Sequence, residues 1–388
     1  MRKIDIKKFN RKKIIIMAII FIIIFLLIVL ISLYIAEKNV RGWVDVHILQ
    51  KNITESDAEM ISLNADKSNQ VCVYSKYIAI SNDKVVTLYN SYGEKIDSIN
   101  TDINNAIYDS SDRYLAIAEK DGKKACLLLE KTYLWGINTD SDILQIHVNK
   151  NGYVAIITTD VTHKSILTLY DSNGKKLFTS YFSSTRIIDA SISNDNKFIA
   201  IGELDSSGVT IKSNIKIISV ENAQNDPDNT IIYTYNADSE KLITNVKYQD
   251  NNQIACIYDD SVNIIENENN NEILNIDKEK IIHITNNLKN QIVYVEEQSE
   301  GLFQLSSNLH IVNTRSNQEN VFSIEETIKK IYANETIIVA NTGTDLYFIS
   351  TNGWLIKKYT ASQEITNVAF SGNVAAIIFK DKIEVIAL

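Results

Sequence analysis

The consecutive runs SILTLYDSNGKKLFTSYF (165–182) and SSTRIIDASISNDNKFIAI (183–201) decide the fold of this chain. The first run opens on a β-branched and aromatic segment, 166–170, and continues in a second strand-like segment, 175–182. Asp-Ser-Asn-Gly (171–174) separates the two segments. Asn-Gly favours a tight hairpin turn, because both residues accept a positive φ at its centre. The first run therefore predicts a β-hairpin.

The second run predicts another hairpin. Residues 188–192 (IDASI) alternate between apolar and polar, which is the period of a strand with one buried face. A polar turn, 193–196, leads into FIAI (198–201), which is apolar on both faces, as expected of a strand packed between two sheets. If the strands of one unit are labelled a to d, the first run supplies strands c and d, and the second run supplies strands a and b of the next unit.

Copies of strand b recur along the chain and predict a repeat protein. Their mean spacing is about 42 residues, which is typical of a four-stranded propeller blade. The third residue of every copy is Ala or Val, small enough for neighbouring sheets to approach closely. The copies begin at Tyr77, Tyr114, Tyr153, Phe198, Gln253, Gln291, Ile337 and Val374.

Eight copies predict an all-β, eight-bladed β-propeller. Seven blades are the alternative if a weak copy, near Gln291 or Ile337, is an elaboration. An irregular β-sandwich with coincidental spacing is the other interpretation. The last copy has three strands before the chain ends at Leu388, and a strand at 43–49 has no blade of its own. Pairing these two closes the ring and removes exposed sheet edges, which gives a propeller over residues 42–388.

Two motifs carry a resemblance to known families. The segment 192–202 (ISNDNKFIAIG) resembles the turn-and-strand motif of WD40-like repeats, and 169–178 (LYDSNGKKLF) resembles the strand–turn–strand motif of PQQ-like repeats. With its apolar N-terminal segment, the chain resembles membrane-anchored propeller proteins of low-GC Gram-positive bacteria that carry a domain of unknown function. This resemblance implies the fold and says little about function.

The N-terminal segment predicts a membrane anchor. Residues 14–36 carry no charge, and as a helix they would span about 34 Å, enough for a bilayer core. A cleaved signal peptide is the alternative, but its apolar region would be shorter, and bulky Tyr34 would precede the cleavage site. We therefore expect an uncleaved, single-pass signal anchor that contacts the lipid bilayer. The basic tail 1–13 would be cytoplasmic, and a short tether, 37–41, would lead to an extracytoplasmic domain.

Charge and cysteine content exclude some functions. The net charge is −9, residues 1–36 carry +6, and the remainder therefore carries −15. Nucleic-acid binding needs a basic surface, so we expect no nucleic-acid partner. The three cysteines, Cys72, Cys126 and Cys256, each lie inside an apolar strand, which favours buried thiols over a disulfide framework.

No catalytic, cofactor-binding or metal-binding motif stands out. Strand a residues such as His147 and His283 could approach the central channel, but no two histidines have metal-ligand spacing. Asp109 with Asp112, and the run 194–196, could ligate calcium but fit turn residues better. The chain also lacks the repeated Trp motifs and adjacent cysteines of quinone-dependent dehydrogenases, which its blades resemble. We expect a protein that is not an enzyme and has no cofactor.

Two loops exceed the repeat. One is 221–229, between strands c and d of the fourth blade. The other is 296–307, in the sixth, where Leu302, Phe303 and Leu305 could form an apolar contact patch. We expect a non-enzymatic interaction scaffold that binds another protein of the cell envelope. The alternative is a ligand-binding sensor, or a quinone-type enzyme, that uses the channel. A channel mouth lined by convergent charged residues with shifted pKa values would favour this alternative.

Overall fold

The computed structural model describes residues 11–36, 53–54, 58–63, 69–82, 84–226, 229–237, 241–300 and 304–388. Helix α1 (Arg11–Ala36) comes first and begins three residues before the uncharged segment. Large apolar side chains of α1, such as Phe21 and Phe25, are exposed in the isolated chain. Within the described part of the chain, no helix combines the length and the apolar character that a membrane crossing requires.

The rest of the described chain is almost entirely β-structure, arranged in eight sheets of consecutive strands. Two strands precede the first complete blade: β1 (Ile53–Thr54) and β2 (Glu59–Ser62). Blade 1 contains β3 (Gln70–Tyr74), β4 (Tyr77–Asn82), β5 (Val85–Tyr89) and β6 (Lys95–Asn100). Blade 2 contains β7 (Ala106–Ser111), β8 (Tyr114–Glu119), β9 (Lys124–Leu129) and β10 (Thr132–Asn138). Blade 3 contains β11 (Asp142–Val148), β12 (Val154–Thr159), β13 (Ser165–Tyr170) and β14 (Lys176–Phe182).

Blades 4 to 6 repeat the same antiparallel order. Blade 4 contains β15 (Thr185–Ile192), β16 (Phe198–Asp205), β17 (Lys212–Ser219), the short helix α2 (Val220–Asn225) and β18 (Ile231–Asn236). Blade 5 contains β19 (Ile243–Tyr248), β20 (Gln253–Tyr258), β21 (Ser261–Glu266) and β22 (Asn269–Asn275). Blade 6 contains β23 (Ile281–Leu288), β24 (Gln291–Glu300), β25 (Gln304–Asn313) and β26 (Glu319–Ile324).

The last two blades incorporate the strands that precede blade 1. Blade 7 contains β27 (Lys330–Ala333), β28 (Ile337–Asn341), β29 (Asp345–Ser350) and β30 (Leu355–Thr360), with β1 added in parallel at its outer edge. Blade 8 contains β31 (Asn367–Ser371), β32 (Val374–Ile378) and β33 (Lys382–Ala387), and β2 is its fourth strand. The architecture is thus an eight-bladed β-propeller.

The structure confirms eight blades, and the seven-blade alternative is wrong. The weak copies at Gln291 and Ile337 begin strand b of blades 6 and 7, as full members of their sheets. Seven of the eight b strands begin at the predicted residue, and that of blade 3 begins one residue later, at Val154. The apolar clusters lie between adjacent blades, so strand b is buried on both faces, as its pattern indicated.

An N-terminal strand closes the ring, as expected, but it is not the strand we predicted. β2 pairs antiparallel with β33, and Ile61 lies opposite Ile383. The predicted strand 43–49 and the tether 37–41 both lie outside the described residues. The closing position therefore belongs to residues 59–62. Ile61 is fixed there by burial against the core between blades 8 and 1.

The two long loops differ from expectation. The segment 221–229 contains most of α2, whose buried Val220 and Ala223 pack against blade 3. The predicted loop 296–307 is largely wrong, because β24 and β25 extend as a hairpin that is paired out to Glu300 and Gln304. Residues 301–303 and the side chain of Leu305 lie outside the described part of the chain, so the predicted apolar patch stays a prediction.

A polar cavity at the channel mouth

One structural position of strand a is present in every blade, but the residue that occupies it differs from blade to blade. It lies opposite the third residue of strand b, which is always Ala or Val. Polar or charged residues occupy it in five consecutive blades, 2 to 6. From blade 1 to blade 8 the residues are Cys72, Asp109, His147, Ser191, Lys247, Thr285, Tyr332 and Ala369. The third residue of strand b thus stays small in every blade, whereas the residue opposite it on strand a changes from blade to blade.

The inner strands of blades 2 to 6 enclose a cavity of about 260 Å³ where strand a turns into strand b. A wider space of about 860 Å³ adjoins it and is lined by the same turns from other blades. Asp109, Lys150, Lys247 and Glu335 line both spaces, which therefore form one mouth. Sequence reasoning did not find this cavity, although the alternation of strand a already presented Asp189 and Ser191 on one face.

Asp189 is a largely buried carboxylate that lines the cavity. Its Oδ2 accepts hydrogen bonds from the Val246 amide, at 2.9 Å, and from Asn245 Nδ2, at 2.6 Å. Burial raises the pKa of Asp189 above its ordinary value of 3.8, and His147, the Val246 amide and Lys247 offset part of this effect. The carboxylate links blade 4 to blade 5.

His147 lies beside this carboxylate without forming a catalytic relay. Its Nδ1 is 3.9 Å from Asp189 Oδ1, and its Nε2 is 3.2 Å from Gln145 Oε1. The hydroxyl of nearby Ser191 accepts a hydrogen bond from the Tyr248 amide, at 3.0 Å. In a Ser-His-Asp triad, the carboxylate faces one histidine nitrogen and the serine hydroxyl donates to the other. Here the second nitrogen, Nε2, contacts Gln145 instead.

Two residues that line the cavity, Asn245 and Gln249, have side-chain amides that are only partly satisfied by the described residues. Asn245 donates its Nδ2 to Asp189, and Gln249 donates its Nε2 to the Asn286 carbonyl, at 2.8 Å. Because a carboxylate and a carbonyl can only accept, the nitrogen of each amide must face that partner. Asn245 Oδ1 and Gln249 Oε1 are buried and have no hydrogen-bond partner among the described residues. Two residues that line the cavity therefore each carry a buried acceptor that no described residue satisfies.

The mouth is ringed by exposed charges. Lys150 and Lys289 lie in the turns between strands a and b of blades 3 and 6, and Lys247 lies near the end of strand a in blade 5. Within the described residues, neither Lys150 nor Lys289 forms an ion pair. Asp112 and Glu335 stand exposed at the same mouth. The surface is polar and carries both signs of charge.

The other candidate residues have structural contacts. His283, which we placed near the channel, lies with its Nε2 3.2 Å from the Ile328 carbonyl, and burial lowers its pKa. It does not line the cavity. Asp109, a calcium candidate, accepts the Val148 amide of the next blade through Oδ2. In the described residues, no group of three or more His, Cys, Asp or Glu side chains could hold a metal ion.

The run 194–196, the second calcium candidate, forms a turn. Asp195 Oδ1 accepts the Ser193 hydroxyl, at 2.7 Å, and Asn196 Oδ1 accepts Asn149 Nδ2, at 2.6 Å. These bonds stabilise the turn and join blade 4 to blade 3. The three cysteines are buried, free thiols, as predicted. Burial raises the pKa of Cys72 and of Cys126 to about 12, so both are protonated at neutral pH.

The sheet order, the ring closure and the inward strand a define a class: this is an eight-bladed β-propeller. The chain belongs to a family of unknown function, DUF5711, whose model matches residues 51–388. No curated protein matches it.

Solved structures support the class. BamB from Moraxella catarrhalis is similar with a TM-score of 0.50 and 11% identity, over 85% of this chain and 100% of that one. The C-terminal WD40 domain of Sif2 is similar with a TM-score of 0.57 and 12% identity, over 85% of this chain and 99% of that one. At such identities the likeness concerns the fold alone.

Proposed function

We propose that this chain is a non-enzymatic interaction scaffold, anchored in the cell membrane, whose propeller lies outside the cytoplasm and binds another envelope protein at the channel mouth. The observation that carries the proposal is the charged mouth itself, in which Lys150 and Lys289 have no ion-pair partner among the described residues. Unpaired charges around a rigid opening suit a polar partner, because electrostatic complementarity sets specificity and the rate of association.

The binding proposal is tested by co-purification from gently crosslinked cells. The test variant carries Lys150→Glu, Lys247→Glu and Lys289→Glu. The control carries the same change at Lys95, Lys131 and Lys175, which are exposed but do not line the mouth. We expect a stoichiometric partner that the control retains and the test variant loses. A partner retained by both variants would contradict the proposed surface.

Anchoring rests on the sequence of residues 14–36, which are uncharged, and on the exposure of apolar side chains along α1. Cell fractionation tests the anchoring. We expect the protein in the membrane fraction and resistant to carbonate, and a chain without residues 14–36 in the soluble fraction. Recovery of the intact chain in the soluble fraction would contradict anchoring.

The orientation has its own test. Because Cys72, Cys126 and Cys256 are buried, a single exposed cysteine would report on its compartment. Lys175→Cys places a thiol on an exposed turn of the propeller. We expect an impermeant maleimide to label it in intact cells. Labelling that requires cell lysis would place the propeller inside.

The non-enzymatic part of the proposal is supported by the contacts of the cavity. His147 Nε2 contacts Gln145, and the Ser191 hydroxyl accepts a backbone amide. Neither arrangement pairs a nucleophile with a base, which acyl transfer requires.

A second candidate function, a sensor that binds a small ligand in the channel, is favoured by a different observation. Asn245 Oδ1 and Gln249 Oε1 are buried acceptors to which no described residue donates a hydrogen bond. Such groups are costly unless something donates to them. The raised pKa of Asp189 is a further sign of a binding site.

A further inference from the structure

We propose that Asn173 and Asn352 are sites of spontaneous deamidation in the folded propeller, whereas Asn151 is protected from this modification. These three residues are the asparagines of the three Asn-Gly pairs of the chain. Each pair lies in a turn between two neighbouring strands of one blade. The inference does not depend on the proposed function.

An Asn-Gly pair can lose ammonia without any enzyme. The glycine nitrogen gives its proton to a base in the solvent and bonds to Cγ of the asparagine, the bond between Cγ and Nδ2 breaks, and ammonia leaves. Water then opens the resulting succinimide ring, at Cγ to give aspartate or at the main-chain carbonyl carbon to give isoaspartate. Nothing is oxidised or reduced. Glycine favours the attack because it has no Cβ to hinder the approach.

The backbone of the three turns is alike. Gly152, Gly174 and Gly353 have φ of +77°, +80° and +77°. Each glycine amide donates a hydrogen bond to the carbonyl three residues earlier, at 3.0, 3.0 and 2.9 Å. A difference in rate between the pairs must therefore come from the asparagine side chains and their surroundings.

The side chain of Asn151 is held in place. Its Nδ2 donates to the Asn194 carbonyl, at 2.7 Å, and to Asn196 Oδ1, at 3.0 Å. Gly152 is buried, and a Cβ added there would lie 2.5 Å from Cε1 of Tyr114, so the ring covers this glycine. For the attack, the carboxamide would have to break both hydrogen bonds beneath that ring.

The side chains of Asn173 and Asn352 are free to react. Both residues are exposed, and within the described part of the chain neither carboxamide forms a hydrogen bond. Each carboxamide can therefore rotate toward its glycine while it exchanges contacts with water alone.

Conversion at these two sites would disturb contacts between blades, because isoaspartate lengthens the main chain by one carbon atom. Gly174 packs against Trp135 of blade 2, and Gly353 packs against Asn320 of blade 6. An aged sample should thus unfold at a lower temperature than a fresh one. The double variant Asn173→Gln and Asn352→Gln should not change with age, since glutamine would have to close a larger ring. An equal fall in both proteins would contradict this consequence.

The main experiment follows conversion at each site. The full-length protein, purified in detergent, is incubated at mildly alkaline pH in heavy-oxygen water, digested and mapped by mass spectrometry. The heavy oxygen enters an asparagine site only when water opens the ring during the incubation. We expect Asn173 and Asn352 to convert about 10-fold or more faster than Asn151, because two hydrogen bonds must break at Asn151 first. In urea, where the turns are lost, the three should convert at similar rates.

One variant tests the cause of the protection. Asn196→Gly removes one acceptor of the Asn151 carboxamide and should speed conversion of Asn151 about 3-fold or more. Glycine suits this position because Asn196 has φ +64°. The matched control is Asn317→Gly, at an exposed position with φ +55° in blade 6. Thermal unfolding checks that both variants are folded, and the comparison with urea decides if Asn196→Gly is not.

Two results would overturn the proposal. In the first, Asn151 converts as fast as Asn173 and Asn352 in the folded protein, so its contacts give no protection. In the second, neither Asn173 nor Asn352 converts in the folded protein although both convert in urea, so the folded turns prevent the reaction.

Discussion

Gly174 shows how one residue fixes a turn of the propeller. It ends the turn between strands c and d of blade 3 with φ +80°, and Asp171 Oδ1 accepts the Asn173 and Lys175 amides within that turn. A Cβ added at Gly174 would lie 2.7 Å from Cγ of Trp135, on blade 2. The same indole donates Nε1 to the Ser172 carbonyl, at 3.2 Å. The glycine therefore permits both the turn and the contact between blades.

We predict that Gly174→Ala destabilises the protein by about 1–3 kcal/mol, because alanine is strained at positive φ and its methyl group displaces Trp135. Urea unfolding followed by tryptophan fluorescence measures the change. Gly208→Ala is the control, since that glycine has no positive φ and its added Cβ meets nothing closer than 3.7 Å. Equal stability of the two variants would contradict the argument.

Asp189 stabilises the junction of blades 4 and 5 through hydrogen bonds rather than through its charge. We predict that Asp189→Ala costs about 1–3 kcal/mol, because it leaves the Val246 amide without an acceptor. Asp189→Asn keeps an acceptor and should cost less. Chemical unfolding at neutral pH compares the two, and a larger loss in the asparagine variant would contradict this account.

Asp189 also predicts a pH dependence of stability. Because its pKa is raised in the folded state, the folded protein holds this proton more tightly than the unfolded chain does. This contribution is therefore largest at low pH and is lost as the pH rises from 3.8 through the folded pKa. We expect the stability difference between wild type and Asp189→Asn to shift against wild type over that interval. The charged groups facing Asp189 are His147 and Lys247. If the stability difference between wild type and Asp189→Asn stays constant with pH, the raised pKa is contradicted.

At the scale of the element, a buried serine in strand c binds the start of the next blade. The hydroxyls of Ser165, Ser213 and Ser307 accept the amides of Ile187, Ile243 and Ile328, at 2.9, 2.9 and 3.0 Å. Each serine is fully buried. Ile187 lies near the start of β15, Ile243 begins β19 and Ile328 precedes β27. The inner edge of each of these strands has no neighbouring strand in its sheet. A side chain from the preceding blade therefore satisfies an amide that the sheet leaves free.

We predict that Ser165→Ala, Ser213→Ala and Ser307→Ala each cost about 1–3 kcal/mol, since each leaves a buried amide without its acceptor. Guanidinium unfolding measures the three variants against Ser98→Ala, whose residue is exposed on the outer strand of blade 1. If all four variants unfold at the same midpoint, the hydroxyl bonds between blades contribute nothing to stability.

At the scale of the whole molecule, β2 closes the ring, and Ile61 holds this strand in place by packing into the apolar core. Ile61 is 4% exposed, packs with Val71, Ile383 and Val385, and has an exposed neighbour, Met60. Closure joins the two ends of the propeller and covers the edge of β33, which would otherwise be free to pair with another chain.

We predict that Ile61→Ala destabilises the protein by about 2–5 kcal/mol and favours association through the edge of β33, whereas Met60→Ala is close to neutral. Thermal unfolding and light scattering of the two variants provide the measurement. Equal behaviour would mean that the ring is held without this strand.

The repeat unit could be predicted from the sequence because its determinants are local. The turn at 171–174 depends on residues that are adjacent in the sequence. The doubly apolar strand b and the Ala or Val at its third position depend only on the close approach of an adjacent sheet. These features recur eight times, and even weak copies such as the one at Gln291 form complete blades. The buried cysteines followed from the same pattern.

The closing strand and the cavity were decided by the tertiary structure. Several short apolar segments precede blade 1, and the choice of 59–62 depends on pairing with residues 382–385 at the far end of the chain. Asp189, Asn245 and Gln249 belong to different blades or turns, so their convergence depends on the curvature of the closed ring. The local pattern specifies each blade, whereas contacts between residues distant in sequence form only when all eight blades are assembled.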